Sequence, residues 1–327
     1  MKCTNRFRKI AYILILSLSL SLINCGNLKY DMHYDSNSQL SGFDVLVLDN
    51  DNKALPFAND LCVVKGNVKV NSVDLSKAYA GVLFDLNKKE VKYSKEAHTR
   101  LNPASLTKVM TALVALEYGT LDKVLTATEN VGITESGAQL IGLKAGDTMT
   151  LEQALHILLL YSANDVAVMI AENVGGTMGN FIDMMNEEAV RIGATNTHFE
   201  NPHGLTSEEH YTTAYDLYLI LNEAIKYDKF IEIVNSSSYQ TSFYDRDGNP
   251  KDVSFETTNR YLKGTYPIPD NVNVIGGKTG TTSAAGHCLM LLSRDVSGAP
   301  YISVILHSED SDTLYQEMYG LLEQINK

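Results

Sequence analysis

The chain is sparing with cysteine, with long apolar runs and with positive charge, and each scarcity removes a class of protein. Of its four cysteines, Cys3 and Cys25 lie at the amino-terminal end, so only Cys62 and Cys288 belong to the body. A disulfide-dense scaffold is thereby excluded, and the remaining pair can form one bridge or stay as two buried thiols. Beyond residue 24 no apolar stretch approaches the about 20 residues that span a bilayer, so the body reads as one globular domain. Basic residues number 27 against 39 acidic ones; without residues 1–24, which hold four basic and no acidic residues, the balance is 23 to 39, a net charge of −16. That excess argues against nucleic-acid partners and against electrostatic adsorption to anionic lipid. No spacing of His, Cys and carboxylates marks a metal site, and no cofactor is expected.

What is present begins with an export signal. Lys2, Arg6, Arg8 and Lys9 precede the uncharged stretch Ala11 to Asn24, the pattern of a signal peptide over residues 1–24. Leu22-Ile23-Asn24-Cys25-Gly26 resembles a bacterial lipobox, which makes Cys25 the expected lipid attachment site and the new amino terminus. The catalytic part is then expected outside the cytoplasm, held to the membrane by lipid or, alternatively, secreted. Residues 25–74, rich in Asn, Asp, Ser and Lys, read as a tether and amino-terminal extension, and residues 75–327 as the functional domain.

From Ala78 the pattern sharpens. Ala80 to Asp85 reads as a strand, Leu86-Asn87-Lys88-Lys89 as a turn and Glu90 to Tyr93 as the returning strand. Leu106 to Tyr118 carries apolar residues at helical spacing, with Gly119 as a stop signal, so Ser105 opens a helix. Free amides and the positive end of the helix dipole favour negative charge there. Lys108 lies one turn on, on the same face, within reach of the Ser105 hydroxyl. A lysine becomes a base when burial or a second cation lowers its pKa, and Lys278 can be that cation.

Two further segments complete a set. Ser162-Ala163-Asn164 interrupts two helical runs, and on a loop the Ser162 hydroxyl and the Asn164 amide can enter one cleft, whereas on a continuous helix they would diverge. Ser162 is suited to shuttle a proton and Asn164 to hold a peptide. Lys278-Thr279-Gly280-Thr281 follows Gly276-Gly277 in a predicted strand, where glycines let backbone approach a ligand and a strand edge can bind an extended peptide.

The ordered trio Ser105-x-x-Lys108, Ser162-x-Asn164 and Lys278-Thr279-Gly280 is the signature of penicillin-binding proteins and class A β-lactamases. Pro103-Ala104-Ser105-Leu106-Thr107-Lys108, Gly142 to Asp147, Asn201-Pro202-His203-Gly204-Leu205 and Thr213 to Leu217 closely resemble landmark segments of the low-molecular-mass penicillin-binding proteins, serine D-alanyl-D-alanine carboxypeptidases of peptidase family S11. The resemblance covers roughly residues 78 to 310. It implies an α/β fold of the α+β type, a mostly antiparallel five-stranded sheet flanked by helices with a helical subdomain inserted between the second and third strands. It implies that Ser105 attacks the penultimate D-alanine of a peptidoglycan stem peptide with Lys108 as base. Ser162 then relays protons, and Asn164, Lys278, Thr279, Gly280 and Thr281 bind substrate. The backbone amides of Ser105 and Thr281 form the oxyanion hole, and β-lactam antibiotics acylate the same serine.

The pattern departs from the family in two places. Many relatives carry an arginine near the start of the last helix that helps hold the substrate carboxylate, but Ser308 to Glu317 holds neither Arg nor Lys, so carboxylate recognition is expected to rest more heavily on Lys278, Thr279 and Thr281. The chain also ends 47 residues after Gly280, room for strands near His287–Arg294 and Tyr301–His307 and one helix. His203 reads as a loop-shaping residue, and His156 and His287 as packing or rim residues. A β-lactamase, a transpeptidase and a non-catalytic wall-binding module remain as alternatives; Glu200-Asn201-Pro202-His203-Gly204 does not match the glutamate loop of a class A β-lactamase.

Overall fold

The computed structural model describes residues 60–327; the export segment, Cys25 and the tether up to residue 59 lie outside the described residues. Five antiparallel strands form the central sheet: β1 (Ala80–Asp85), β2 (Glu90–Lys95), β7 (Val272–Thr282), β8 (Gly286–Asp295) and β9 (Pro300–Ser308), in the order β2-β1-β9-β8-β7. β1, β8 and β9 are nearly continuous apolar runs because both faces of the sheet are covered. The two-residue side-chain period sorts them into two layers. Val82, Phe84, Met290, Leu292, Ile302 and Val304 face the main helical core. Leu83, Leu289, Leu291, Tyr301 and Ile305 meet the other core, under the last helix, α7 (Ser311–Leu322).

Between β2 and β7 run α1 (Thr107–Tyr118), α2 (Leu151–His156), α3 (Asn164–Gly175), α4 (Met178–Arg191), α5 (Ala214–Ala224) and α6 (Asp228–Val234). α1 is surrounded: every residue from Thr107 to Ala115 is buried, so the helix that carries Lys108 and follows Ser105 cannot shift without disturbing the core. The inserted segment is not helical alone. It also holds a four-stranded sheet of β3 (Val124–Thr126), β4 (Thr148–Thr150), β5 (Ser238–Tyr244) and β6 (Pro250–Glu256). β3 and β4 are three residues each and the β5–β6 hairpin is largely solvent-facing, so neither carries the buried apolar alternation that marks a strand in sequence.

The stretch before residue 75 also packs on the domain. Cys62 and Val64 are buried in the main core. The Cys62 amide donates to the Tyr218 hydroxyl at 2.9 Å, the Tyr215 hydroxyl donates to the Cys62 carbonyl at 2.9 Å, and Val68 bridges to Ser94. Cys62 and Cys288 are separate free thiols, and burial pushes them up to about 11 and about 12. Among the described residues no helix is long and apolar enough to cross a membrane.

Candidate active site

Ser105, the expected nucleophile, sits on a strained turn. Ala104 has φ +48°, in the left-handed region that side chains disfavour, and Ala104–Leu106 forms a 3₁₀ turn that feeds α1. Three contacts hold that backbone. The Thr107 hydroxyl donates to the Ala104 carbonyl at 2.9 Å and lies 2.9 Å from His210 Nε2. His210 Nδ1 accepts from the Glu200 amide at 3.0 Å, which leaves Nε2 as the protonated nitrogen that donates to Thr107. Burial lowers His210 to about 4, so this relay is neutral at physiological pH. From the other side Gly204, at φ +87°, presses on the turn: a Cβ there would lie 1.9 Å from the Ala104 carbonyl oxygen.

Lys108 is fully buried beneath Ser105. Its Nζ donates to Ser105 Oγ at 3.0 Å, to Asn164 Oδ1 at 2.6 Å and to the His203 carbonyl at 2.6 Å. Burial, followed by the charge of Lys278, holds its pKa well below 10.5, while Asp165 acts in the opposite sense. An amine whose proton is held less tightly in this way is better suited to take up the Ser105 hydroxyl proton. The imidazole of His203 is itself driven down to about 3, chiefly by burial, and its Nδ1 accepts the Leu205 amide at 3.2 Å.

The second segment is bent into place by an irregular helix end. After α2 the chain makes a π-helical turn, Ile157–Tyr161, then Ser162 at φ 71° and ψ 31°, then extended Ala163, and Asn164 opens α3. This reversal turns residues two apart toward the same cleft. Ala163 caps α3 without a side-chain bond, so Ser162 is not spent on capping. Its Oγ accepts instead from Lys278 Nζ at 2.9 Å. Asp165, the next residue, accepts the amides of Ile141, Gly142 and Leu143 at 2.9–3.1 Å and fixes one wall of the cleft.

β7 brings the third segment against the first. A Cβ on Gly280 would stand 2.9 Å from the Ser105 amide nitrogen, so only glycine lets the strand edge approach the nucleophile turn so closely. Lys278 is 1% exposed, donates also to the Thr279 carbonyl at 2.8 Å, and is lowered by burial to about 7. Thr279 Oγ1 lies 2.6 Å from Thr258 Oγ1. An open cleft of about 420 Å³ lies above, lined among others by Ser105, Ser162, Asn164, Thr279, Gly280 and Thr281. All eight residues expected from the three segments therefore meet around one cleft, with Lys108 and Lys278 below its floor.

The structure adds Thr107, His210, Thr258 and Arg260 to this constellation. No sequence signal gave them a role: His210, Thr258 and Arg260 reach the site through partners distant in the chain, and Thr107 read only as part of the segment around Ser105. Elsewhere, Glu152, His156 and Glu232 bring ligating atoms within 4.8 Å of one another. Lys229 bridges the two carboxylates at 2.9 and 2.7 Å, an ammonium standing where a metal cation would, and His156 stacks on Tyr239.

A serine hydroxyl bonded to a buried lysine, with a second serine–lysine pair facing it from a loop and a strand edge, defines an acyl-transfer site of the penicillin-binding type. The chain belongs to the Peptidase S11 family, D-alanyl-D-alanine carboxypeptidase, whose model matches residues 67–310. It is 35% identical over 218 residues to the D-alanyl-D-alanine carboxypeptidase DacF of Bacillus subtilis, covering 65% of this chain and 53% of that one. It is 30% identical over 275 residues to DacC of Escherichia coli, covering 81% of this chain and 64% of that one. The chain thus spans between half and two thirds of the length of these relatives. The crystal structure of the Streptomyces K15 DD-transpeptidase superposes with a TM-score of 0.70 at 27% identity, covering 76% of this chain and 96% of that one.

Proposed function

We propose that this chain is a serine D-alanyl-D-alanine carboxypeptidase that trims the terminal D-alanine from peptidoglycan stem peptides, with Ser105 as nucleophile. The observation that carries this reading is the 3.0 Å bond between Ser105 Oγ and the buried, pKa-lowered amine of Lys108. Neutral Lys108 takes the hydroxyl proton as the Ser105 Oγ–carbonyl carbon bond forms. The resulting oxyanion lies between the backbone amides of Ser105 and Thr281. Collapse breaks the C–N bond, and the proton reaches the leaving amine through Ser162, which the Lys278 ammonium orients. Water then attacks the ester carbonyl as Lys108 takes its proton, and Lys108 passes that proton to Ser105 Oγ as the ester C–O bond breaks. Asn164 holds the peptide while its Oδ1 also anchors Lys108. β-Lactams are expected to acylate the same serine and to leave slowly.

Export by residues 1–24 and lipid attachment at Cys25 would place this site on the outer face of the cytoplasmic membrane, where its substrate lies. The test is mass spectrometry of the purified chain with penicillin and, separately, with a D-alanyl-D-alanine peptide. An adduct of intact penicillin mass on Ser105, absent in Ser105→Ala, and release of D-alanine are expected; an unmodified Ser105 would refute the reading. A transpeptidase is favoured by one observation, the likeness to the K15 enzyme. Exchange of the terminal residue for an added D-amino acid in preference to hydrolysis would establish it.

A further inference from the structure

A second polar cluster lies where α2 meets α6, and none of its residues lines the cleft. Glu152 and His156 stand one turn apart on α2 and so share a face of that helix, and Glu232 reaches the same point from α6. One ring nitrogen of His156 and one oxygen of each carboxylate all lie within 4.8 Å of one another. The sequence did not announce this meeting, because Glu232 is far beyond the other two in the chain.

Two features of the cluster are unresolved by the contacts it makes. The first is a ligand without a partner: His156 is 7% exposed, and its Nδ1 is buried with no hydrogen bond, a cost that a native fold rarely leaves uncompensated. The Tyr239 ring, stacked at 4.0 Å and 7°, fixes the plane of the imidazole. Burial lowers the pKa of His156, which keeps the ring in the neutral form that binds metals. The second feature is charge. Lys229 Nζ donates to Glu152 at 2.9 Å and to Glu232 at 2.7 Å, so one ammonium offsets two carboxylates and a negative charge remains. A divalent cation in the same place balances both. The two glutamate side chains are about half exposed, so an ion can enter and the lysine can swing out without disturbing the core.

We infer that Glu152, His156 and Glu232 form a site for one Zn2+ ion, and that Lys229 leaves the site with its proton as the metal enters. The donor set selects the metal: an imidazole nitrogen with two carboxylate oxygens suits zinc, with water as a further ligand, whereas Ca2+ and Mg2+ favour oxygen ligands alone. The ion ties α2 to α6. α2 runs directly into the π-helical turn that presents Ser162. α6 ends at Val234, whose carbonyl oxygen approaches β7 so closely that a Cβ on Gly276 would stand 2.1 Å from it, two residues before Lys278. Zinc is thus a clamp on the supports of Ser162 and Lys278 and takes no part in acyl transfer.

The test titrates the untagged full chain with ZnCl2 by calorimetry and follows its melting temperature with Zn2+, Ca2+, Mg2+ or EDTA, beside Lys229→Met, Glu232→Gln and His156→Phe. One Zn2+ per chain is expected to bind and to raise the melting temperature as its concentration rises, with EDTA reversing the rise and Ca2+ and Mg2+ giving none. His156→Phe keeps a ring against Tyr239 but offers no nitrogen, and Glu232→Gln removes one charge; both should lose the zinc-dependent rise while still melting cooperatively. Lys229→Met removes the competing ammonium and its two partly exposed ion pairs, which should tighten Zn2+ binding by about 2- to 20-fold. Co2+ in place of Zn2+ should give visible absorption in the wild type and none in His156→Phe. If Lys229 served only as a structural counter-ion, Lys229→Met would be less stable and indifferent to zinc. That result, or zinc binding that His156→Phe and Glu232→Gln retain unchanged, overturns the inference. Neither depends on whether the protein releases D-alanine, so the clamp and the carboxypeptidase reading stand or fall separately.

Discussion

Replacing Lys278 with methionine should make the protein more stable and less active, with a pH dependence that identifies the cause. Lys278 is buried and its pKa falls from 10.5 to about 7, with burial as the cause. At about 1.4 kcal/mol per pH unit, this fall of about 3.5 represents about 5 kcal/mol of destabilisation at and below neutral pH. The sign follows from proton counting. Between about pH 7 and about pH 10.5 the unfolded chain holds one proton more than the native one, so wild-type stability rises with pH, by up to about 1.4 kcal/mol per unit. Methionine fills a similar volume without the charge, but it leaves Ser162 Oγ and the Thr279 carbonyl without their donor, a loss of about 1–3 kcal/mol. Lys278→Met is therefore expected to exceed the wild type by about 2–4 kcal/mol at pH 7. That advantage shrinks with rising pH and vanishes at about pH 8.5 to 10. Urea unfolding of both proteins across this range measures the gap directly. A gap that does not change with pH, or a variant less stable than wild type at pH 7, would refute the reasoning. The same substitution removes one of the two causes that lower Lys108, so residual acylation of Ser105 should begin at higher pH than in the wild type.

Other outcomes test the support beneath the nucleophile. Gly204→Ala forces a methyl group to within 1.9 Å of the Ala104 carbonyl oxygen at φ +87°; a loss of about 3 kcal/mol or more and a sharp drop in Ser105 acylation are expected, and an unchanged melting temperature would contradict the close approach. Thr107→Val keeps the shape but strands His210 Nε2–H and one acceptor position at Ala104, so stability should fall by about 1–3 kcal/mol and acylation should slow, by a factor constant across neutral pH because His210 titrates near about 4. A loss that appears only below about pH 6.5, the ordinary range of histidine, would show instead that a charged His210 matters.

Much of the fold was legible in local pattern. The apolar runs of β1, β8 and β9, the hairpin turn after Asp85 and the helix ending at Gly119 stand where periodicity and stop signals put them. The β5–β6 hairpin and the short strands β3 and β4 were not legible, because strands that bury little leave no apolar alternation to read. How deeply the amino-terminal extension packs, with Cys62 and Val64 in the core, was hidden, since the polar composition around them signals a tether.

The sequence by itself determined the chemistry that could occur, because residue type and spacing along the chain are local properties: a serine one turn before a lysine, a serine two residues before an asparagine, and a lysine beside glycines in a strand. Tertiary structure alone decided what those groups do. Burial, joined at Lys108 by neighbouring charge, and no feature of residue type, lowers the pKa of Lys108 and Lys278. The π-turn and left-handed Ser162 set a hydroxyl against an ammonium 116 residues away. The cation at the start of α7 is absent from that helix's own sequence, yet packing brings Arg260 there from 52 residues earlier, because a cleft draws its walls from the whole chain.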